Sequence, residues 1–192
     1  MSRSYMVSFF REWITAPCSI AAIVPSGRAL ASIITSELSE RTGRVLELGP
    51  GTGVFTRAMI DKGVREKNLI LLEYNQTFSS LLKQRFPHAT LRQMDVCDLE
   101  SVPRFDGTCV DAVVCGLGFL NMPAHQVAAI VRGAFMHLKP GGRMYLFTYG
   151  FKCSVPVHIL DALDLEAVRI GRTYWNIPPA TTYRLQRRSY TR

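Results

Sequence analysis

The apolar residues Met6, Phe9, Phe10, Trp13 and Ile14 recur at i, i+3, i+4, i+7 and i+8, the spacing that gathers one face of a helix. Ser8, Arg11, Glu12 and Thr15 fall mostly opposite. Residues 4–15 are therefore expected to form an amphipathic helix, ended by Pro17. A second helix is expected to begin near Pro25-Ser26, to gather Leu30, Ile33, Ile34 and Leu38 on one side and to close before Gly43. Past Gly43 the period changes. Short strand-like runs at 44–48, 69–72, 89–93, 112–115 and 143–149 alternate with helical spacing over Val54–Lys62, around Phe78, Leu81 and Leu82, and from Val127 to Leu138. Pro140-Gly141-Gly142 reads as a strong helix stop. Continuous apolar runs of this length suit strands buried on both faces, and their alternation with helices predicts an α/β fold with a mostly parallel, Rossmann-like sheet. The end of the chain breaks the rhythm: Leu165–Tyr174 and Thr181–Arg187 look like two strands with no helix between, an antiparallel closing hairpin. With no internal repeat or linker, residues 1–43 read as a helical extension and 44–192 as one domain.

Composition excludes several classes. The chain has 192 residues, 47% apolar and 20% charged, which fits neither disorder nor low complexity. No apolar stretch reaches the ~20 residues needed to span a bilayer, and Arg11 and Glu12 interrupt any signal-peptide core. Five cysteines without a C-x-x-C pair argue against a disulfide framework and a zinc site, so no metal and a reducing, cytoplasmic setting are expected. The net charge is +8, and its surplus lies late. Residues 151–192 carry 7 basic and 3 acidic side chains, and from Ala167 onward there are six arginines and no acid. Such a surplus implies a polyanionic partner, for which nucleic acid and anionic lipid both qualify.

The candidate site is Glu47-Leu48-Gly49-Pro50-Gly51-Thr52-Gly53, running off the first expected strand into a helix, where open α/β sheets bind ligands. A dinucleotide site prefers G-x-G-x-x-G; here the spacing is G-x-G-x-G, and Glu47 beside the turn would repel a pyrophosphate but suit a cation. Glu73, at the end of the second strand, is placed to accept ribose hydroxyls. Asp95 and the Val96 amide, after the third, could read an adenine edge. Three acids at three successive strand ends describe a pocket for a cationic adenosine ligand without phosphates. S-adenosylmethionine has that charge and shape.

These motifs resemble the first three of class I methyltransferases over residues 44–150. Together with the Phe-Phe-Arg-x-Trp helix, the Ile23-Val24-Pro25-Ser26 segment and Pro178-Pro179-Ala180 before the last strand, they are similar over nearly the whole chain to bacterial phospholipid N-methyltransferases. The resemblance implies methylation of phosphatidylethanolamine and its mono- and dimethylated forms towards phosphatidylcholine, with S-adenosylmethionine as donor and S-adenosylhomocysteine as product. It carries Glu47, Gly49, Gly51 and Glu73 over as cofactor residues and the first helix as a membrane anchor. Pro50, Thr52, Gly53, Tyr74, Asp95, Val96, Gly116 and Ser26 complete the expected cofactor set. Tyr5, Asn121 and Tyr174 are expected to orient the amine, and Phe9, Phe10, Arg11, Trp13, Tyr149, Tyr183, Arg184 and Arg187 to contact lipid. One departure is Gly116-Leu117-Gly118-Phe119-Leu120-Asn121-Met122-Pro123, where the family leads one to expect a Ser-Leu-Pro-like stretch.

RNA adenine N6-dimethyltransferases share the glycine turn and the basic charge. Their Asn-(Leu/Pro)-Pro-Tyr motif after the fourth strand is absent, so nucleic acid is not the expected partner. A membrane protein that only senses S-adenosylmethionine is the non-enzymatic alternative. The late arginines then read as an electrostatic supplement, ~1 kcal/mol per basic residue near an anionic surface, for a monomer lying peripherally on the inner face of the cell membrane.

Overall fold

The computed structural model describes residues 20–174 and 178–189. The expected helix 4–15, with Tyr5, Phe9, Phe10, Arg11 and Trp13, lies outside them. Strands β1 (Val45–Leu48) and β2 (Leu69–Glu73) are buried at every residue, which requires cover on both sides of the sheet. Five more strands join them: β3 (Thr90–Gln93), β4 (Val110–Cys115), β5 (Leu138–Thr148), β6 (Leu165–Thr173) and β7 (Ala180–Arg187). Their order is β3-β2-β1-β4-β5-β7-β6. The first five are parallel, whereas β7 runs antiparallel between β5 and β6.

Period-two alternation splits the core into two layers. Leu46, Leu48, Ile70, Leu72, Val113 and Met144 face helix α4 (Ala124–His137) and the short helix α5 (Val157–Ala162). Val45, Leu69, Leu71, Val114, Tyr145 and Phe147 face the other side, which is covered by α1 (Ile20–Ile34), α2 (Val54–Asp61) and α3 (Gln76–Arg85). Glu47 and Glu73 alternate in step with Val45 and Leu71, so both carboxylates belong to this second face.

Three expectations are corrected. Helix α1 is already formed at Ile20 and contains Pro25, which removes a single backbone donor; it ends at Ile34, where Thr35 Oγ1 donates to the Ala31 carbonyl at 2.7 Å. The Pro140-Gly141-Gly142 stop does end α4, but the chain enters β5 directly. Gly141 (φ 76°) and a register shift opposite Val110 and Ala112 absorb the turn inside the strand. Helix α5, too short to show a period, fills the stretch before β6. The closing hairpin has the expected antiparallel form, with a register shift between Arg169 and Gly171.

The antiparallel course of β7 also decides where its arginines go. Ala180 lies at the carboxyl edge of the parallel strands, and the chain then runs to the opposite edge. There Arg184 Nη1 meets Glu37 Oε1 at 2.6 Å, while Arg143 and the Tyr145 hydroxyl approach Oε2 at 3.4 and 3.0 Å. Burial pushes the Glu37 carboxyl up, but hydrogen bonds from Arg184 and Tyr145 and the two guanidinium charges outweigh it and hold the group below its ordinary value. The same burial and the Glu37 charge push the Tyr145 phenol up to about 12. Because the folded carboxyl titrates below the unfolded one, its contribution is present above the ordinary carboxylate range and disappears as pH falls through the folded value. Glu37→Ala should therefore cost about 1–2 kcal/mol at pH 7, a difference that shrinks on acidification, as urea unfolding at pH 7 and pH 3 would report.

Candidate cofactor and acceptor site

The turn after β1 is built from backbone that only glycine tolerates well. Gly49, Gly51 and Gly53 have φ of 67°, 56° and 81°, the left-handed region that costs other residues. Gly49 and Gly116 also bring two strand ends together: a Cβ on Gly116 would lie 2.5 Å from the Gly49 carbonyl oxygen. The amides keep the ladder going past the strands, Gly49 N–H to Leu72 O (2.9 Å) and Gly116 N–H to Leu48 O (2.8 Å). A Cβ on Gly51 would meet nothing within 4 Å, so this part of the turn borders open space.

Glu73, nearly buried, ties the turn to the next loop. Its Oε2 accepts from the Gly51 amide at 2.9 Å and its Oε1 from the Asn75 amide at 2.8 Å. Asn75 in turn caps α3, its Oδ1 accepting from the Thr77 and Phe78 amides. Each carboxylate oxygen keeps a further lone pair, enough to accept from a ligand hydroxyl. Glu47 is fully buried, and its Oε2 accepts from Thr56 Oγ1 of α2 at 2.6 Å. Burial pushes its carboxyl up to about 8, against the pull of the Thr56 hydrogen bonds and with a small push from the Glu73 charge. The charge expected from Glu47 is thus suppressed near neutrality, and its first role is to tie β1 to α2. Its Oε1 has no hydrogen-bond partner among the described residues. An orphaned acceptor beneath a turn of left-handed glycines fits a ligand that brings positive charge, as a sulfonium does, better than a pyrophosphate.

Asp95 is exposed and caps the 3-10 helix Val96–Ser101, accepting from the Cys97 amide at 2.8 Å. Tyr74 is exposed beside Glu73, Thr52 gives its carbonyl to Arg85 (2.5 Å), and Pro50 accepts from the Gly53 amide. Ser26 lies within α1. Topology therefore gathers Glu47, the glycine turn, Glu73, Tyr74, Asp95, Val96 and Gly116 at one edge of the sheet. Asn121, in the 3-10 turn Phe119–Asn121 after β4, is exposed at the same edge, as are Tyr149 and Tyr174 after β5 and β6.

Three expected lipid contacts are placed otherwise. Tyr183 is buried, and its hydroxyl donates to the Phe151 carbonyl. Arg184 is held by Glu37 at the far edge. Arg187 donates to the Leu163 carbonyl at 2.7 Å and lies over the Phe135 ring. For the two arginines the physical reason is the direction of β7, which carries them away from the glycine turn; Tyr183 stays near the carboxyl edge but turns inward. Two residues were missed. Thr56, the partner of Glu47, falls in the first turn of α2, where only the fold brings it under β1. Arg172 lies over the rings of Phe151 and Tyr174, 3.6 and 4.9 Å from their centroids. Its i, i+2 relation to Tyr174 was a usable signal for a shared strand face; the partnership with Phe151 had none.

Among the described residues no group of His, Cys, Asp and Glu could hold a metal ion, and no helix is long and apolar enough to cross a membrane. The raised Glu47 carboxyl has a measurable signature. Between the ordinary carboxylate value and about 8 the unfolded chain is ionised while the folded one holds its proton, so the proton's contribution is complete at low pH and lost as pH rises. Glu47→Gln should remove this slope, gaining stability on the parent by on the order of 1–3 kcal/mol between pH 5 and pH 8, read by urea unfolding at the two pH values.

The methyltransferase domain family matches residues 45–142, the span from β1 to the start of β5. An ornithine lipid N-methyltransferase of Singulisphaera acidiphila is 30% identical over 129 residues, covering 65% of this chain and 67% of that protein. Among solved structures, a TehB-like S-adenosylmethionine-dependent methyltransferase from Corynebacterium glutamicum superposes with a TM-score of 0.64 at 15% identity, over 97% of this chain and 100% of the other. A glycopeptide N-methyltransferase solved with S-adenosylmethionine gives 0.63 at 13% identity, over 86% and 96%. At those identities the two structures speak for the fold alone. With the family match on the strand-and-turn unit that carries Glu47, the three glycines and Glu73, the chain belongs to the class I methyltransferases and uses S-adenosylmethionine.

Proposed function

We propose that the protein methylates the amine of a lipid head group at a membrane surface, with phosphatidylethanolamine and its mono- and dimethylated forms as acceptors. The observation that carries the lipid acceptor is the 30% identity to an ornithine lipid N-methyltransferase. The same observation favours a second reading, in which ornithine lipid is the acceptor. Both substrates present an amine on a head group anchored by acyl chains, so the chemistry at the reacting nitrogen is shared.

The bound cofactor supplies a methyl group activated on a positively charged sulfur. What this chain adds is position. Glu73 and the Gly51 amide are tied together (2.9 Å), so the ribose-binding carboxylate and the backbone under the ligand move as one unit. The close approach of Gly49 and Gly116 sets the start of the β4 loop, Gly116-Leu117, beside the turn. An acceptor nitrogen held about 3 Å from the methyl and opposite the sulfur is in line for displacement, and orientation of that kind can lower a barrier by several kcal/mol. The nitrogen must attack with its lone pair free, so an ammonium first gives up a proton; water at the exposed edge can take it. Tyr149 stands at this edge after β5, and its ring face favours the growing alkylammonium by ~1–2 kcal/mol when water is excluded.

Two measurements test the reading. Incubation with methyl-labelled S-adenosylmethionine and separate vesicles of phosphatidylethanolamine or ornithine lipid, or with unmodified ribosomal RNA, should label a lipid; label in RNA alone, or in nothing, would refute it. Calorimetry on Glu73→Ala should show S-adenosylmethionine affinity reduced at least about tenfold, the loss of one charge-assisted hydrogen-bond site. Parent-like affinity would remove Glu73 from the cofactor set.

A further inference from the structure

Single exposed apolar side chains are normal on a protein surface, but a cluster rimmed by charge marks a contact. Eight large apolar side chains are exposed among the described residues: Val54, Tyr74, Leu120, Met136, Tyr149, Phe151, Val157 and Tyr174. All except Met136, near the end of α4, belong to strand ends or helix starts at the carboxyl edge, the edge that carries the cofactor turn. After β5 and β6, Phe151 (73% exposed) and Tyr174 (71%) are joined through Arg172, and Val157 (70%) opens the helix between the two strands.

Charge gives this part its character. From Tyr149 to Leu160 there is no acid, and Lys152 is exposed. Arg172 lies against Phe151 and Tyr174 with its Nε buried and unpartnered. Among the described residues its guanidinium has no carboxylate partner, and its Nε no hydrogen bond. Ring contact covers the faces of a guanidinium, and with Nε shut in it is the terminal Nη N–H donors that are left for an outside acceptor; a phosphate oxygen suits them. Strand order adds distance. From β1 to β6 there are four strand spacings, about 19 Å at ~4.8 Å each, too far for Arg172 to hold the phosphate of a head group whose amine is at the cofactor.

We propose that Tyr149, Phe151, Lys152, Val157, Arg172 and Tyr174 seat the carboxyl edge of the sheet on the head-group layer of an anionic bilayer, with the rings at the interface and Arg172 on a lipid phosphate. This rests on the lipid-acceptor reading and adds to it a docking surface separate from the amine site. An acceptor lipid can then reach the cofactor edge without leaving the membrane.

The test uses the full chain and vesicles of phosphatidylcholine with or without phosphatidylglycerol, neither of which carries a primary amine. Co-sedimentation should show the parent bound to the anionic vesicles. Phe151→Ser with Val157→Ser should weaken partitioning about tenfold, from lost apolar burial. Arg172→Gln should weaken it about threefold at low salt and little at high salt. Met136→Ser, at the other edge, should match the parent. Both exchanged side chains of the double variant are solvent-exposed, and a thermal melt checks that its fold is kept. Labelling of a short-chain phosphatidylethanolamine dispersed as monomers should persist in the double variant. Unchanged vesicle binding by both the double variant and Arg172→Gln would overturn the docking surface and leave the acceptor reading standing. Loss of patch-dependent binding in the variants, with no lipid ever labelled by the parent, would support the surface and refute the acceptor.

Discussion

A parallel strand buried on both faces cannot be connected to its neighbour by a tight turn, and that constraint organises this protein. Strand β1 has β2 on one side and β4 on the other, in register from Val45 to Leu48. Each connection must leave at the carboxyl edge, cross the sheet as a helix and return at the opposite edge. Every loop that follows a parallel strand therefore opens at one edge. Gly49, Gly116 and Glu73 meet there because β1, β4 and β2 are adjacent, although they are far apart in the chain.

The two buried carboxylates illustrate how similar groups receive different tasks from their surroundings. Both lie on the face of α1–α3. Glu73 receives two backbone amides and so bridges two loops while keeping acceptor capacity towards solvent. Glu47, one strand over and below the turn, is sealed from water with one hydroxyl partner, and holds its proton up to about pH 8. A positively charged ligand above it would shift that balance back towards the anion. Cofactor binding and the protonation of Glu47 are linked for this reason.

The C-terminal hairpin divides its charge between two edges. β7 begins at the carboxyl edge and ends at the other, so Arg184, Arg187 and Arg188 are spent on Glu37, the Leu163 carbonyl and Asp161. β6 runs the opposite way and ends at the carboxyl edge, four strands from β1, bringing Arg172 and Tyr174 to that edge. A net surplus of arginine in a sequence does not state which edge will display it.

Much of the architecture was legible in the chain. The apolar runs at 45–48, 69–72 and 112–115, interrupted by helical spacing, dictated parallel strands under two layers, because a strand without a polar face has to be covered on both sides. The Glu-x-Gly-x-Gly-x-Gly turn, with acids at the next two strand ends, marked the cofactor edge, because backbone near a ligand needs positive φ and missing Cβ atoms. What the tertiary structure decided were relations that local spacing does not carry. Burial suppresses the expected charge of Glu47 against the pull of Thr56, Asp95 is drawn into capping a helix, and Tyr183 turns inward to hold the Phe151 loop. The direction of β7 carries Arg184 and Arg187 to the opposite edge, while the bulged β6 lays Arg172 against Phe151 and Tyr174 at the carboxyl edge. Periodicity reports which side of an element is buried; the partner that a polar group finds there depends on chain segments tens of residues away.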